Sequence, residues 1–438
     1  MSWGWRKIKN RSTIMKTKDK YLFSIFLMCM TLSVAAKDDY GSDSIPRYTI
    51  GGSIGWANML GRVDAGTNLV KNGSTQFYSI FLNSQSLPCD SNIYDRAWSF
   101  PSIEAGLLIA DFSHVSLSRD YPTEHYMSGM GYGIGVYASF RRNIVSNRHL
   151  KLGYSLNNGI AYNTRPYNRY SNVDNEFIGS HLSLYFGFDL YGMYRFKSGI
   201  ETGIELEFQH FSNSALDRPN KGANCIGVSA KVSVPIDNRY MNCEDDDLTT
   251  NSVSRSGMEK NIDRGFYIDT NILWGGKSLI DEWLYYYYSA PKDDPDYQTS
   301  HFRIRSVWGV SVAPMWRYST KFASGIGLDY NYVTYADRIH EVDCMRGING
   351  FSTNSHVLGI SLRHEAFYKQ LSAAMSIGYY LHRKMGYMAK ADEKPYYETI
   401  GIHWYPSFLH GKGYIGYDVK AHLMKADCME IRLGFHLF

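Results

Sequence analysis

Apolar and polar residues alternate one for one along most of this chain. In 130–140, Met130, Tyr132, Ile134, Val136 and Phe140 alternate with Gly131, Gly133, Gly135 and Ser139. Leu182, Leu184, Phe186, Phe188 and Leu190 alternate with Ser183, Gly187 and Asp189, and Ile226, Val228, Ala230, Val232 and Val234 with Gly227, Ser229, Lys231 and Ser233. The pattern returns in 371–381 and closes the sequence, where Ile431, Leu433, Phe435 and Leu437 alternate with Arg432, Gly434 and His436. A period of two residues is the signature of a β-strand with two unlike faces.

Strands of soluble sheets average about 5–6 residues and turn a charged face to water. Here the runs reach ten or more residues, and the non-apolar face is small and Gly-rich. Apolar-out, small-polar-in strands of about ten residues belong to a transmembrane β-barrel. The pattern therefore predicts an all-β, antiparallel, outer-membrane type barrel of about 14–16 strands. Two polar stretches read as long loops: 237–264, which divides the strands into similar halves, and 281–300. One wide barrel over residues 37–438 is the preferred reading, because neither half shows a closing strand of its own. Two smaller barrels are the alternative.

The N-terminus supports export. A basic segment, "RKIKNRSTIMKTKDKY", precedes the short apolar run "LFSIFLMCMTLSVAA", which ends in small residues. Residues 1–36 read as a signal peptide cleaved after Ala36, with Met15 an alternative start. No later stretch is long and apolar enough for a membrane helix. The net charge of +4 and the absence of a dense Lys/Arg run give no support to nucleic-acid binding. The 36 Tyr residues, the run 285–288, and Trp98, Trp308, Trp316 and Trp404 fit aromatic belts at the lipid–water boundaries. Five cysteines would remain after cleavage (Cys89, Cys225, Cys243, Cys344 and Cys428), widely spaced and without a CxxC pair, so neither a zinc site nor a disulfide scaffold is indicated. The acidic runs 243–247 and 293–296 lack EF-hand spacing and read as solvated loops.

One stretch breaks the alternation: "QHFSNSALDRPNKGAN", residues 209–224. Ile204, Leu206 and Phe208 share a face, and parity carries His210 and Ser212 onto it. Pro219, Asn220 and Gly222 are turn residues. Asn224 shares parity with Ile226 and Val228 on the next strand. His210, Ser212 and Asn224 should thus meet on the lipid-facing rim of two paired strands. A histidine beside a serine can make it a nucleophile, provided a third group orients the imidazole. A lipid-facing rim suits an ester whose carbonyl lies at headgroup depth.

The segment "HFSN…PNKG" resembles the catalytic segment of the outer-membrane lipid A 3-O-deacylases, also called acyloxyacyl hydrolases. Members are β-barrels with a lipid-facing Ser-His-Glu triad that removes an ester-linked acyl chain from lipid A, without a cofactor. The resemblance makes Ser212 the nucleophile and His210 the base, with Asn213 and Asn220 at the oxyanion. Asn224 stands where the family has its acid. An asparagine can orient a histidine but stabilises the imidazolium less than a carboxylate. Asp217 is the one acid close enough in sequence to take that role instead. "KAHLMKADCMEIRLGFHLF", at the C-terminus, resembles the last strands of longer relatives, whereas the type members are single eight-stranded barrels.

The resemblance implies lipid A, or lipopolysaccharide, as the partner, in the outer membrane of a Gram-negative bacterium. The competing reading is a non-catalytic barrel: a channel, or a structural or assembly protein. Lumen-facing Glu205, Glu207, Arg195 and Lys231 read as an internal polar network, which speaks against an open channel. His364 also falls on an apolar-parity face, but no serine stands two residues away, and it reads as a packing histidine.

Overall fold

The computed structural model describes residues 46–236 and 264–438, apart from 62, 65–66, 91, 120–127, 148, 392, 424 and 438. The expected signal peptide and nearly all of the 237–264 segment, with its acidic run 243–247 and Cys243, lie outside the described residues.

The chain forms two closed antiparallel barrels rather than one. The N-terminal barrel consists of β1 (Tyr48–Met59), β2 (Ser74–Gln85), β3 (Ser102–Leu117), β4 (Ser128–Ser146), β5 (Leu150–Asn163), β6 (Leu182–Arg195), β7 (Glu201–Ser212) and β8 (Ala223–Pro235). The C-terminal barrel consists of β9 (Gly265–Lys277), β10 (Arg305–Arg317), β11 (Phe322–Val333), β12 (His356–Tyr368), β13 (Leu371–His382), β14 (Tyr396–Trp404), β15 (Gly413–His422) and β16 (Lys425–Leu437). Each strand pairs with its neighbours in sequence. Closure comes from β1 against β8, with Ile54 opposite Ala230, and from β9 against β16, with Ile272 opposite Leu433. This corrects the single wide barrel. The strand total lies within the expected range, but closure pairs the first and last strand of each half, a non-local contact with no local sequence signal.

Closure leaves the strands of neither barrel with a free edge, which a bilayer requires because its core offers no water to unpaired backbone groups. Alternation then sorts the side chains. Ile80, Leu182 and Leu362 are more than 60% exposed on the outer surface. On β10, Trp308 and Trp316 both point outward, eight residues apart, about 27 Å along the strand. Trp404 is outward as well, so three of the four expected belt tryptophans face lipid. Trp98 does not: it is buried, and its Nε1 donates to the Phe367 carbonyl across the two barrels, at 2.7 Å.

Side chains fill the lumens. In the N-terminal barrel, Arg141 meets Glu205 at 2.7 Å, and Lys231 meets Glu104 at 2.8 Å. Asp189 accepts from Ser155 and Asn157, both at 2.7 Å. The expected network of Glu205 with Lys231 is present, at 3.5 Å, whereas Arg195 pairs with Glu201. In the C-terminal barrel, Arg363 bridges Asp269 and Asp329, and Lys420 meets Glu430 at 3.0 Å. Among the described residues Cys89, Cys225, Cys344 and Cys428 are free thiols.

Turns at one end of both barrels are mostly short, as at 196–200, 318–321 and 369–370, with 86–101 the longest exception, and most long connections gather at the other. Short turns face the periplasm and long loops the outside. The 281–300 segment proves to be more than a loop. It opens with a helix, α1 (Ile280–Tyr288), and Tyr287 of its Tyr run is buried against the N-terminal barrel rather than placed in a lipid belt. Tyr287 donates to the Val173 carbonyl at 2.9 Å, and Trp283, Tyr287, Tyr167 and Val173 form one buried cluster.

Candidate active site at the outer rim of the N-terminal barrel

The site grows from the outer end of β7. Glu205, Glu207 and Gln209 point into the lumen and are buried, while Ile204 and Leu206 are 59% and 56% exposed to lipid. His210 and Ser212 continue the outward face. Phe211, between them, points inward and is fully buried. It stacks on Phe77 at 6.4 Å and meets Phe112 edge-on at 5.6 Å. An apolar plug therefore anchors the strand beneath the polar pair, the rigid support that a precise site needs.

His210 lies directly opposite Asn224 in the β7–β8 ladder. Its Nδ1 is 2.8 Å from Asn224 Oδ1. An amide oxygen only accepts, so Nδ1 carries the proton and Nε2 keeps a free lone pair. The flat ring rests on Gly222: a Cβ there would lie 2.6 Å from His210 Cε1. Gly222 also has φ +72°, so glycine is required twice over, by conformation and by close approach.

Ser212 is outward by parity yet buried, because the loop 213–222 folds over it. Its Oγ receives hydrogen bonds from Asn220 Nδ2 at 3.0 Å and from the Ser214 amide at 3.2 Å. The Asn213 amide donates to Asn220 Oδ1 at 3.1 Å. The Asn213 side chain turns away, donating to Ser180 Oγ at 3.0 Å and to the Asp217 carbonyl at 3.3 Å. Asn213 thus offers its backbone N–H to the site, and Asn220 its side chain. His210 and Ser212 are not hydrogen-bonded to each other; such catalytic bonds often form only with substrate in place.

Asp217 does not approach the histidine by hydrogen bond. Its Oδ1 accepts from the Arg218 amide at 2.8 Å, and burial pushes its carboxyl up to about 6. A second Ser–His pair came from no sequence spacing: Ser324 Oγ and His364 Nδ1 are 2.9 Å apart across β11 and β12, at the short-turn end. The neighbouring Glu365 faces the lumen, where it accepts from Tyr405 at 2.6 Å, so it does not orient His364. Sequence reasoning also missed Ser180, Arg218 and Ser278, whose partners are distant in the chain.

Two family profiles match the sequence. "Lipid A 3-O-deacylase (PagL)" matches residues 97–233, which include all of 209–224, and "Acyloxyacyl hydrolase, C-terminal domain" matches residues 277–438. The chain belongs to the lipid A 3-O-deacylase family. Like other members of this deacylase family, it is a barrel of the Gram-negative outer membrane. Among solved structures, the outer membrane enzyme PagL is 14% identical with a TM-score of 0.26, over 43% of this chain and 99% of PagL. An outer membrane channel from Pseudomonas putida F1 is 7% identical with a TM-score of 0.19, over 92% of this chain and 100% of the channel. A ferric enterobactin receptor from Pseudomonas aeruginosa is 8% identical with a TM-score of 0.22, over 88% of this chain and 54% of the receptor. These likenesses are too distant to bear on the site. No curated protein matches the chain in sequence.

Proposed function

We propose that this deacylase-family barrel is an outer-membrane esterase that removes an ester-linked acyl chain from lipid A, with Ser212 as nucleophile and His210 as base. The observation that carries the reading is the 2.8 Å contact of Asn224 Oδ1 with His210 Nδ1, next to an outward serine at the outer rim. Asn224 fixes the tautomer, and Nε2 is free to take the Ser212 proton. Ser212 Oγ then attacks the ester carbonyl, and the carbonyl oxygen becomes an oxyanion. That oxyanion replaces Asn220 Oδ1 at the Asn213 N–H, with Asn220 Nδ2 as second donor. His210 returns the proton to the leaving lipid alcohol. Water, deprotonated by His210, releases the fatty acid from Ser212.

Asn224 carries no charge to balance the imidazolium, so the oxyanion donors bear more of the transition-state stabilisation than in a triad with a carboxylate. The exposed face of β7 below the site, Leu206 and Ile204, lies where the acyl chain would extend into the bilayer. The filled lumens give the channel reading no support. The test is the mass of lipid A from cells expressing the protein. Loss of one ester-linked acyl chain with wild type, and none with Ser212→Ala, supports the esterase. Unaltered lipid A with the wild-type protein overturns it.

A further inference from the structure

The loop 213–222 is not held by its own barrel alone. Ser214 and Ala215 have φ of 53° and 68°, left-handed values that non-glycine residues adopt only when their surroundings impose them. What imposes them lies in the C-terminal barrel. The Ala215 carbonyl accepts two hydrogen bonds, and both come from Ser278, just beyond β9: from its N–H at 2.8 Å and from its Oγ at 3.0 Å. Arg218 returns the contact, with Nε and Nη2 donating to the Ser278 carbonyl at 3.2 and 3.1 Å. Ser278 and Ala215 are fully buried, and Arg218 is buried with them. The carboxylates whose fields act most strongly on this guanidinium, Asp427 and Asp281, also belong to the C-terminal barrel.

A second layer repeats the arrangement. The Lys221 and Gly222 amides donate to the carbonyls of Glu176 and Phe177, both at 3.0 Å. That segment is in turn capped from the C-terminal barrel, where Tyr287 donates to Val173 and Tyr167 reaches the Gln298 carbonyl at 2.7 Å. Lys221 Nζ sits 5.9 Å from the Trp283 ring of α1.

We infer that the C-terminal barrel is a positioning part of the active site, and that Ser278 and Arg218 hold the 213–222 loop in the shape that sets the Asn213 amide and Asn220 against Ser212. This rests on the esterase reading for its consequence in rate, but the loop geometry can be read separately. It gives the second barrel a role: it carries no reacting group, yet the oxyanion donors depend on it.

The test compares wild type, Arg218→Met, Arg218→Lys and Ser278→Ala. It reads heat-modifiable gel mobility, hydrogen exchange of residues 213–222, and kcat and KM on lipid A in detergent. Arg218→Met should keep the folded mobility while the loop amides exchange at least about tenfold faster. Its kcat should fall at least about tenfold with KM little changed, since the donors act on the transition state. Arg218→Lys should recover part of the loss. Ser278→Ala loses one of the two bonds to Ala215 and should lower kcat about threefold to fivefold, which keeps the test open if Arg218→Met does not fold. Unchanged loop exchange in the folded variants overturns the inference, whatever the activity. So does unchanged kcat against an active wild type, with the esterase reading intact. A wild type inactive on lipid A overturns the esterase reading, and loop exchange still decides whether the brace exists.

Discussion

The two barrels share an architecture and differ in the hairpin that joins their last two strands. In the N-terminal barrel the last two strands, β7 and β8, are joined by the ten residues 213–222, which fold back over Ser212. In the C-terminal barrel the last two strands, β15 and β16, are joined by residues 423–424 alone. The histidine at that end, His422, points into the lumen, where its Nε2 meets the Tyr380 hydroxyl at 2.9 Å. The histidine of β7 faces lipid and is held by an asparagine. The same closed sheet therefore carries the proposed reacting site in one copy and a lumen-packed histidine in the other. On the proposed reading, function lives in the hairpin and in the parity of one residue rather than in the fold. The long connections of the C-terminal barrel fall elsewhere, and the one between β9 and β10 leans on the site of its neighbour.

The sharpest way to break this contrast is to remove the proposed reacting pair. Ser212→Ala and His210→Ala should each lower lipid A deacylation at least about a thousandfold, and the double variant should be no worse than either. His422→Ala should leave the rate within about twofold, because that ring lies on the lumen side of the other barrel. Next in size is Gly222→Ala. The new Cβ collides with the His210 ring and imposes an L-residue on φ +72°, so the imidazole must shift. A displacement on the order of 1 Å at a catalytic base costs about a hundredfold, and kcat measured on folded, heat-modifiable protein checks it.

Much of this was legible in the sequence. Parity alone put His210, Ser212 and Asn224 on one outward face, because a strand's side-chain period is fixed at two and a hairpin keeps register. The strands of both barrels were visible for the same reason. What was hidden depends on contacts between residues far apart in the chain. Closure of each half pairs Met59 with Cys225 and Gly276 with Met429. The burial of Trp98 needs Phe367, and the left-handed turn at Ala215 needs Ser278. Ser324 and His364 met across a strand pair, a relation that no i, i+2 spacing shows.

Asn224 sharpens the comparison with a smaller effect. Asn224→Ala removes one orienting hydrogen bond, worth about 1.5 kcal/mol, and should cost about tenfold in kcat. Asn224→Glu should raise kcat above wild type, because a carboxylate also balances the imidazolium. A fall in rate with Glu would mean that the site is built around a neutral partner. The smallest effect belongs to Asp217. Burial raises its carboxyl from 3.8 to about 6, so the folded loop binds this proton more tightly than the unfolded chain does. Loop stability is therefore highest below pH 4, falls as pH rises to about 6, and is flat above. Asp217→Asn should remove that slope in hydrogen exchange and leave kcat at pH 8 within about twofold. A larger loss of kcat would transfer the orienting role from Asn224 to Asp217.

The most direct measurement is covalent. A lipophilic fluorophosphonate, which phosphonylates serines activated by a neighbouring base, is incubated with the folded protein, and the modified peptide is identified by mass spectrometry. The account predicts one adduct, on Ser212, that disappears in His210→Ala and weakens in Asn224→Ala. An adduct on Ser324, or none on Ser212 while lipid A loses an acyl chain, would contradict it.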